Sequence, residues 1–155
     1  MKKIKLFTVL LSAMPLALQT ALATPPDVTV IYKEGVGNYL ADANGRTLYW
    51  SNKDMPKTSS CSGACLERWL PYFNDAILSA DPELASSDFG TIIRADGKKQ
   101  TTFRGYPLYY SSMDQVRGDT RGHKLNGAWF AMMPGRFHLV EKYYTGYSMT
   151  VGSVD

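Results

Sequence analysis

Two near-copies of one phrase lie sixty residues apart: GRTLYWSNKD from Gly45 to Asp54, and GYPLYYSSMD from Gly105 to Asp114. The register needs no gap. Gly45 meets Gly105, Leu48 meets Leu108, Tyr49 meets Tyr109, Ser51 meets Ser111, and Asp54 meets Asp114. Further on, Trp69 falls on Trp129. Self-similarity of this kind marks one supersecondary unit used twice, each copy unable to bury its apolar face alone. The fold must therefore be built from two related halves that need each other.

Each copy reads as a strand. Side chains alternate along an extended chain, so Leu48 and Trp50 share one face while Tyr49 and Ser51 share the other. Leu108 and Tyr110, with Tyr109 and Ser111, repeat the division. Asn-Gly and Asp-Gly between β-rich runs signal tight hairpins. They predict one hairpin in NYLAD–ANG–RTLYW and a second in TIIRA–DGKK–QTTFR, with PLYYSS as a further strand. Asp81-Pro82-Glu83-Leu84 is a helix-opening pattern. RFHLVEKYY alternates as a terminal strand would, and the small, polar TGYSMTVGSVD is expected to form a mobile tail. The expected architecture is mainly β: antiparallel sheets built from two similar internal repeats, with one or two short helices. The repeats run about 38–71 and 92–134 inside a single β-rich domain at 24–155.

The first residues address the chain. MKKIK carries three lysines and no acid, the apolar run LFTVLLSAMPLAL follows, and Ala21-Leu22-Ala23 fits a signal-peptidase site. The apolar run falls short of the roughly 20 residues that a membrane span needs. A leader at 1–23, cleaved after Ala23, is expected, leaving an exported soluble domain in the periplasm or outside the cell. The charge balance changes with it. The whole chain has 17 basic and 14 acidic residues, but Lys2, Lys3 and Lys5 belong to the leader, so the remainder is formally neutral. A neutral domain gives no support to nucleic-acid or anionic-membrane binding.

Cys61 and Cys65, in SSCSGACLERW, are the two cysteines. Outside the cytoplasm a close pair oxidises, and positions four apart on a helical turn lie within disulfide reach. So short a loop gains only about 2 kcal/mol from the entropy of closure. A structural disulfide is the expectation, with metal or redox use as the alternatives. A structural zinc site wants four ligands, often in two pairs. Thioredoxin-type chemistry places two residues between its cysteines, not three.

Around these same residues the chain resembles a known group, the secreted-repeat family of unknown function, predicted lipoproteins with a Tyr-x-aromatic-x-x-Asp motif. The motif falls on Tyr49 with Asp54 and on Tyr109 with Asp114. CSGAC with Trp69, SSDFGTIIRADGKKQTTFRGYPLYY, GDT and NGAWF are also similar to that family, so the likeness runs from about Asn38 to Pro134. Ser51 and Ser111 stand where the family's central aromatic is expected. No cysteine near Ala23 could carry a lipid anchor, and the resemblance brings no catalytic residues.

Tyr49, Asp54, Tyr109 and Asp114 are thus the candidate binding residues. Each aspartate ends its strand, where a carboxylate accepts hydrogen bonds from backbone amides of the following turn. Outward tyrosines would offer a contact surface, with apolar area and a hydroxyl at the tip. The chain lacks a phosphate-binding glycine loop, a G-x-S-x-G elbow and H-E-x-x-H, and no catalytic residue is assigned. The expected function is a non-catalytic envelope domain that binds an unidentified partner or small ligand, without cofactor. The alternative is a periplasmic copper or redox-associated protein using Met132, Met133, His138 and His123, since thioether and imidazole suit Cu(I).

Overall fold

The computed structural model describes residues 26–79, 81–82 and 84–136. The leader, Glu83, His138, the expected terminal strand beyond Arg136 and the tail lie outside the described residues.

Antiparallel strands dominate. β1 (Val28–Lys33) and β2 (Gly37–Asp42) form a hairpin. β5 (Phe89–Ile93), β6 (Lys99–Phe103) and β7 (Tyr106–Pro107) form a three-stranded sheet. Between them lies a four-stranded sheet in the order β4-β8-β3-β9, made of β4 (Trp69–Pro71), β8 (Tyr109–Ser111), β3 (Tyr49–Ser51) and β9 (Trp129–Ala131). One α-turn, α1 (Cys65–Arg68), precedes β4. The Asp81-Pro82 opening leads to a 3₁₀ turn, Ser86–Asp88, and not to an α-helix.

The expected hairpins form, with two differences. TIIRA and QTTFR pair in register, Ile93 opposite Lys99. NYLAD and RTLYW meet more sparsely, through the bridge Ala41–Thr47 and the bonds Leu48 N–H to Leu40 O and Asp42 N–H to Arg46 O. The full ladder of β2 goes instead to β1, the β-branched run VTVIYK just upstream. Gly45 and Gly105 each take positive φ (75° and 87°), a backbone conformation that costs a Cβ-bearing residue steric energy. The repeated glycine is a repeated turn.

The sheet order explains why neither repeat is self-sufficient. β3 and β4 belong to the first repeat, β8 and β9 to the second, yet β4 pairs with β8 and β9 pairs with β3. Each repeat gives its last strand to the other's central strand. Tyr49 and Tyr109 face each other where β3 meets β8, at an approximate internal twofold axis. Backbone hydrogen bonds repeat across it. Leu40, Leu48 and Met132 form a closed triangle of N–H to C=O bonds, and Thr101, Leu108 and Tyr72 form a second one.

Both faces of the central sheet are covered. Leu48 and Leu108 enter a core with Leu40, Phe103, Tyr106 and Met132, against which Trp50 and Tyr110 pack. Tyr49 and Tyr109 enter a second core with Trp69, Trp129, Tyr39 and Cys61. The alternation read from the phrase therefore holds, with Leu and Trp/Tyr on one face and Tyr and Ser on the other. The tyrosine contact surface does not. Tyr49 and Tyr109 are wholly buried, because the hairpins and the 52–68 and 112–128 loops wrap a face that an isolated sheet would show to solvent.

Leu48→Ala and Leu108→Ala should each lower stability by about 2–5 kcal/mol. Urea denaturation reads both losses, and their difference reports how far the two settings, Leu40 and Met132 against Thr101 and Tyr72, depart from symmetry.

Candidate functional site: the crossed tyrosine–aspartate pairs and the disulfide cleft

The motif residues meet across the repeats, not within them. Tyr49 donates its hydroxyl to Asp114 Oδ2 at 2.6 Å, and Tyr109 donates to Asp54 Oδ2 at 2.7 Å. Each tyrosine of one copy thus serves the aspartate of the other. The second carboxylate oxygen closes a loop of its own repeat. Asp54 Oδ1 accepts the Ser60 N–H and Ser60 hydroxyl, both at 2.7 Å, and Asp114 Oδ1 accepts the Arg121 N–H at 2.9 Å. The aspartates do accept bonds from loop amides, as their position at the strand ends suggests; the bond from the opposite tyrosine is the addition.

Ser51 and Ser111 follow the same symmetry. Ser51 lies opposite Trp129 and Ser111 opposite Trp69 in the strand pairing. Each hydroxyl accepts an N–H of its own turn, from Lys53 and Met113 at 3.2 Å. Trp69 and Trp129 stack face to face, with centroids 3.8 Å apart and planes within 7°. Tyr49 meets Trp69 edge-on and Tyr109 meets Trp129 edge-on. Gly122 packs against this cluster. A Cβ there would come within 2.7 Å of the Trp69 ring and 2.9 Å of the Tyr49 ring.

Burial sets the electrostatics. It is the main cause that pushes the Tyr49 and Tyr109 hydroxyls well above the ordinary tyrosine range, and the neighbouring carboxylates push them further. Tyr110, whose hydroxyl donates to Asp42 at 2.8 Å, is raised in the same way. Burial also raises the Asp114 carboxyl, opposed by the bonds from Tyr49 and Arg121. Tyr72 is pushed up to about 12, chiefly by burial.

Cys61 and Cys65 are joined in a disulfide with Cα atoms 5.4 Å apart. Arg94 reaches their loop from the β5–β6 turn. This buried guanidinium donates to the Cys61 carbonyl at 2.7 Å, the Ser59 hydroxyl at 2.9 Å and Gln100 Oε1 at 2.7 Å. Ser59 in turn touches the Tyr109 hydroxyl at 2.7 Å. An arginine in RADGKK reads as a turn residue, so nothing in the sequence pointed to this role. Beside the disulfide an open cleft of about 580 Å³ is lined by Ala64, Cys65, Glu67, Arg68, Trp69, Ser112 and Trp129. Two exposed side chains of opposite charge, Glu67 and Arg68, stand at its rim.

The residues considered for copper are placed otherwise. Met132 is wholly buried in the leucine core, Met133 is half-buried, and His123 Nδ1 accepts the Ala131 N–H at 3.2 Å. Among the described residues no group of three or more His, Cys, Asp or Glu side chains could hold a metal ion.

Tyr109→Phe should cost about 1–3 kcal/mol, since it leaves an oxygen of the buried Asp54 carboxylate without its donor, and Tyr49→Phe should cost less, because its partner Asp114 is only half-buried. In a double-mutant cycle with Asp54→Asn, Tyr109→Phe should couple by about 0.5–3 kcal/mol. The raised tyrosine pKa values also give a sign in alkali. The folded state favours the neutral phenol, so stability is intact below the ordinary value of 10.0 and falls as pH rises beyond it. Tyrosinate absorbance from these side chains should therefore appear together with loss of the near-ultraviolet circular dichroism, in one transition.

No curated protein matches the chain. No solved structure matches it either. A family model described as a secreted repeat of unknown function matches two stretches, residues 30–72 and 90–133. Those stretches, more than half of the chain, contain the two halves that exchange strands and tyrosine hydrogen bonds across the internal twofold: the protein belongs to the secreted-repeat family of unknown function.

Proposed function

We propose that this chain is an exported, non-catalytic binding domain of the cell envelope, soluble after cleavage at Ala23, and that it holds its ligand in the cleft beside the disulfide. The family is one of secreted repeats, and no helix among the described residues is long and apolar enough to cross a membrane. The observation that carries the reading is the cleft. Its size lies within the roughly 300–1,000 Å³ typical of small-ligand sites. Its walls combine two tryptophans with one anionic and one cationic side chain, a mixture of apolar area and orienting charge.

The motif residues serve this site as its frame. Asp54 and Asp114 each use both carboxylate oxygens to hold the protein's own groups. Their binding role is indirect. They fix the loops whose ends, Trp69 and Trp129, form the cleft wall.

The test is retention of envelope components on immobilised protein. The charge-reversed variant Glu67→Lys/Arg68→Glu should lose at least one component that the unaltered protein retains. Adding that component should change the fluorescence of the cleft tryptophans. Equal retention by both proteins would count against the cleft.

A further inference from the structure

The two repeats form an internal control. Where the first repeat has Cys61 and Cys65, the second has Arg121 and Leu125. Yet the second repeat closes the same loop onto its aspartate, through Arg121 N–H to Asp114, and places Trp129 as the first places Trp69. Ser112 N–H bonds Arg68 O in one half, and Asn52 N–H bonds Ala128 O in the other. A loop of this length can therefore close onto its aspartate and place its tryptophan without a disulfide. A cross-link confined to one of two loops of equal length invites a role other than closing it.

The two sulfurs are also unequal. Cys61 is 3% exposed and belongs to the tyrosine–tryptophan core, while Cys65 is half-buried and lines the open cleft. The buried Arg94 guanidinium donates to the Cys61 carbonyl at 2.7 Å, so a cation is held against the backbone of the inner cysteine. Asp96, 3.4 Å from Arg94 and more than a third exposed, offsets part of that charge. A nearby cation stabilises a thiolate, and the better-stabilised thiolate is the better leaving group.

We propose that the Cys61–Cys65 disulfide is a thiol-exchange site, opened by a low-molecular-weight thiol that enters the cleft and attacks Cys65. The thiolate RS⁻ bonds to Cys65 Sγ. The Cys61–Cys65 bond breaks, and its electron pair leaves on Cys61 as a thiolate, in the residue whose carbonyl Arg94 holds. The product is an RS–Cys65 mixed disulfide, with no net oxidation. A second RS⁻ can release Cys65 as a thiolate and carry away RS–SR, and attack by the Cys61 thiolate on the mixed disulfide restores the original bond. The site does not depend on the binding role proposed above, since the attacking thiol needs only access.

The full chain, under native conditions, decides the matter with reduced glutathione as the probe. Acid-quenched samples should carry the glutathione adduct on Cys65 and not on Cys61 by peptide mass spectrometry. The exchange rate should rise with glutathione concentration and stay flat through low urea, as attack on the folded state requires. In single variants, Cys65 of Cys61→Ser should react with Ellman's reagent about tenfold or more faster than Cys61 of Cys65→Ser. The doubly substituted Cys61→Ser/Cys65→Ser should keep the near-ultraviolet circular dichroism of the parent. An adduct on Cys61, equal thiol reactivity, or an exchange rate that climbs with urea in step with global unfolding would overturn the proposal. The last outcome would mark the bond as one broken only in the unfolded chain.

Discussion

The hydroxyl of a tyrosine in one repeat bonding the carboxylate of the other is the contact on which this fold turns. A buried carboxylate is costly unless its oxygens are satisfied, and Asp54, 2% exposed, cannot turn to water. Its donors come from Tyr109 across the twofold and from Ser60 in its own loop. The pairing is reciprocal, and it matters most at Asp54, since Asp114 is only half-buried. It also explains the spacing of the motif. The tyrosine sits in the strand that crosses the axis, and the aspartate sits one turn later, where it can look back across that axis.

The strand order reinforces this dependence. β4 and β9 each lie against the opposite repeat's central strand, so the halves interlock and do not merely abut. Side-chain packing follows the same exchange, with the leucine-rich core on one face of the central sheet and the tyrosine–tryptophan core on the other. A three-residue strand holds few hydrogen bonds of its own. β3 and β8 gain their stability from burial on both faces, which is why so short a segment can organise the domain.

Symmetry is broken at the loops that follow the two aspartates. The first repeat carries the disulfide and the Arg94 contact; the second has Gly122 pressed against Trp69 and Tyr49. Function is more readily sought in such differences than in the shared frame, because the frame is already accounted for by packing and hydrogen bonding. The cleft beside Cys65 lies at one of these differences.

The sequence by itself determined the division into two related halves, the faces of the strands, the glycine turns, the β-rich class and the cysteine pairing. Apart from the repeat itself, each of these is local: periodicity of two along a strand, positive φ at a turn, or two side chains four residues apart. Only the tertiary structure decided that Tyr49 and Tyr109 point into a core and not toward a partner, and that each bonds the other copy's aspartate. It alone brought Arg94 to the disulfide loop and stacked Trp69 on Trp129. A sequence period says that two segments are alike. It does not say which faces the rest of the chain will cover, because that depends on contacts between residues far apart in sequence, and here those contacts run across the axis between the repeats.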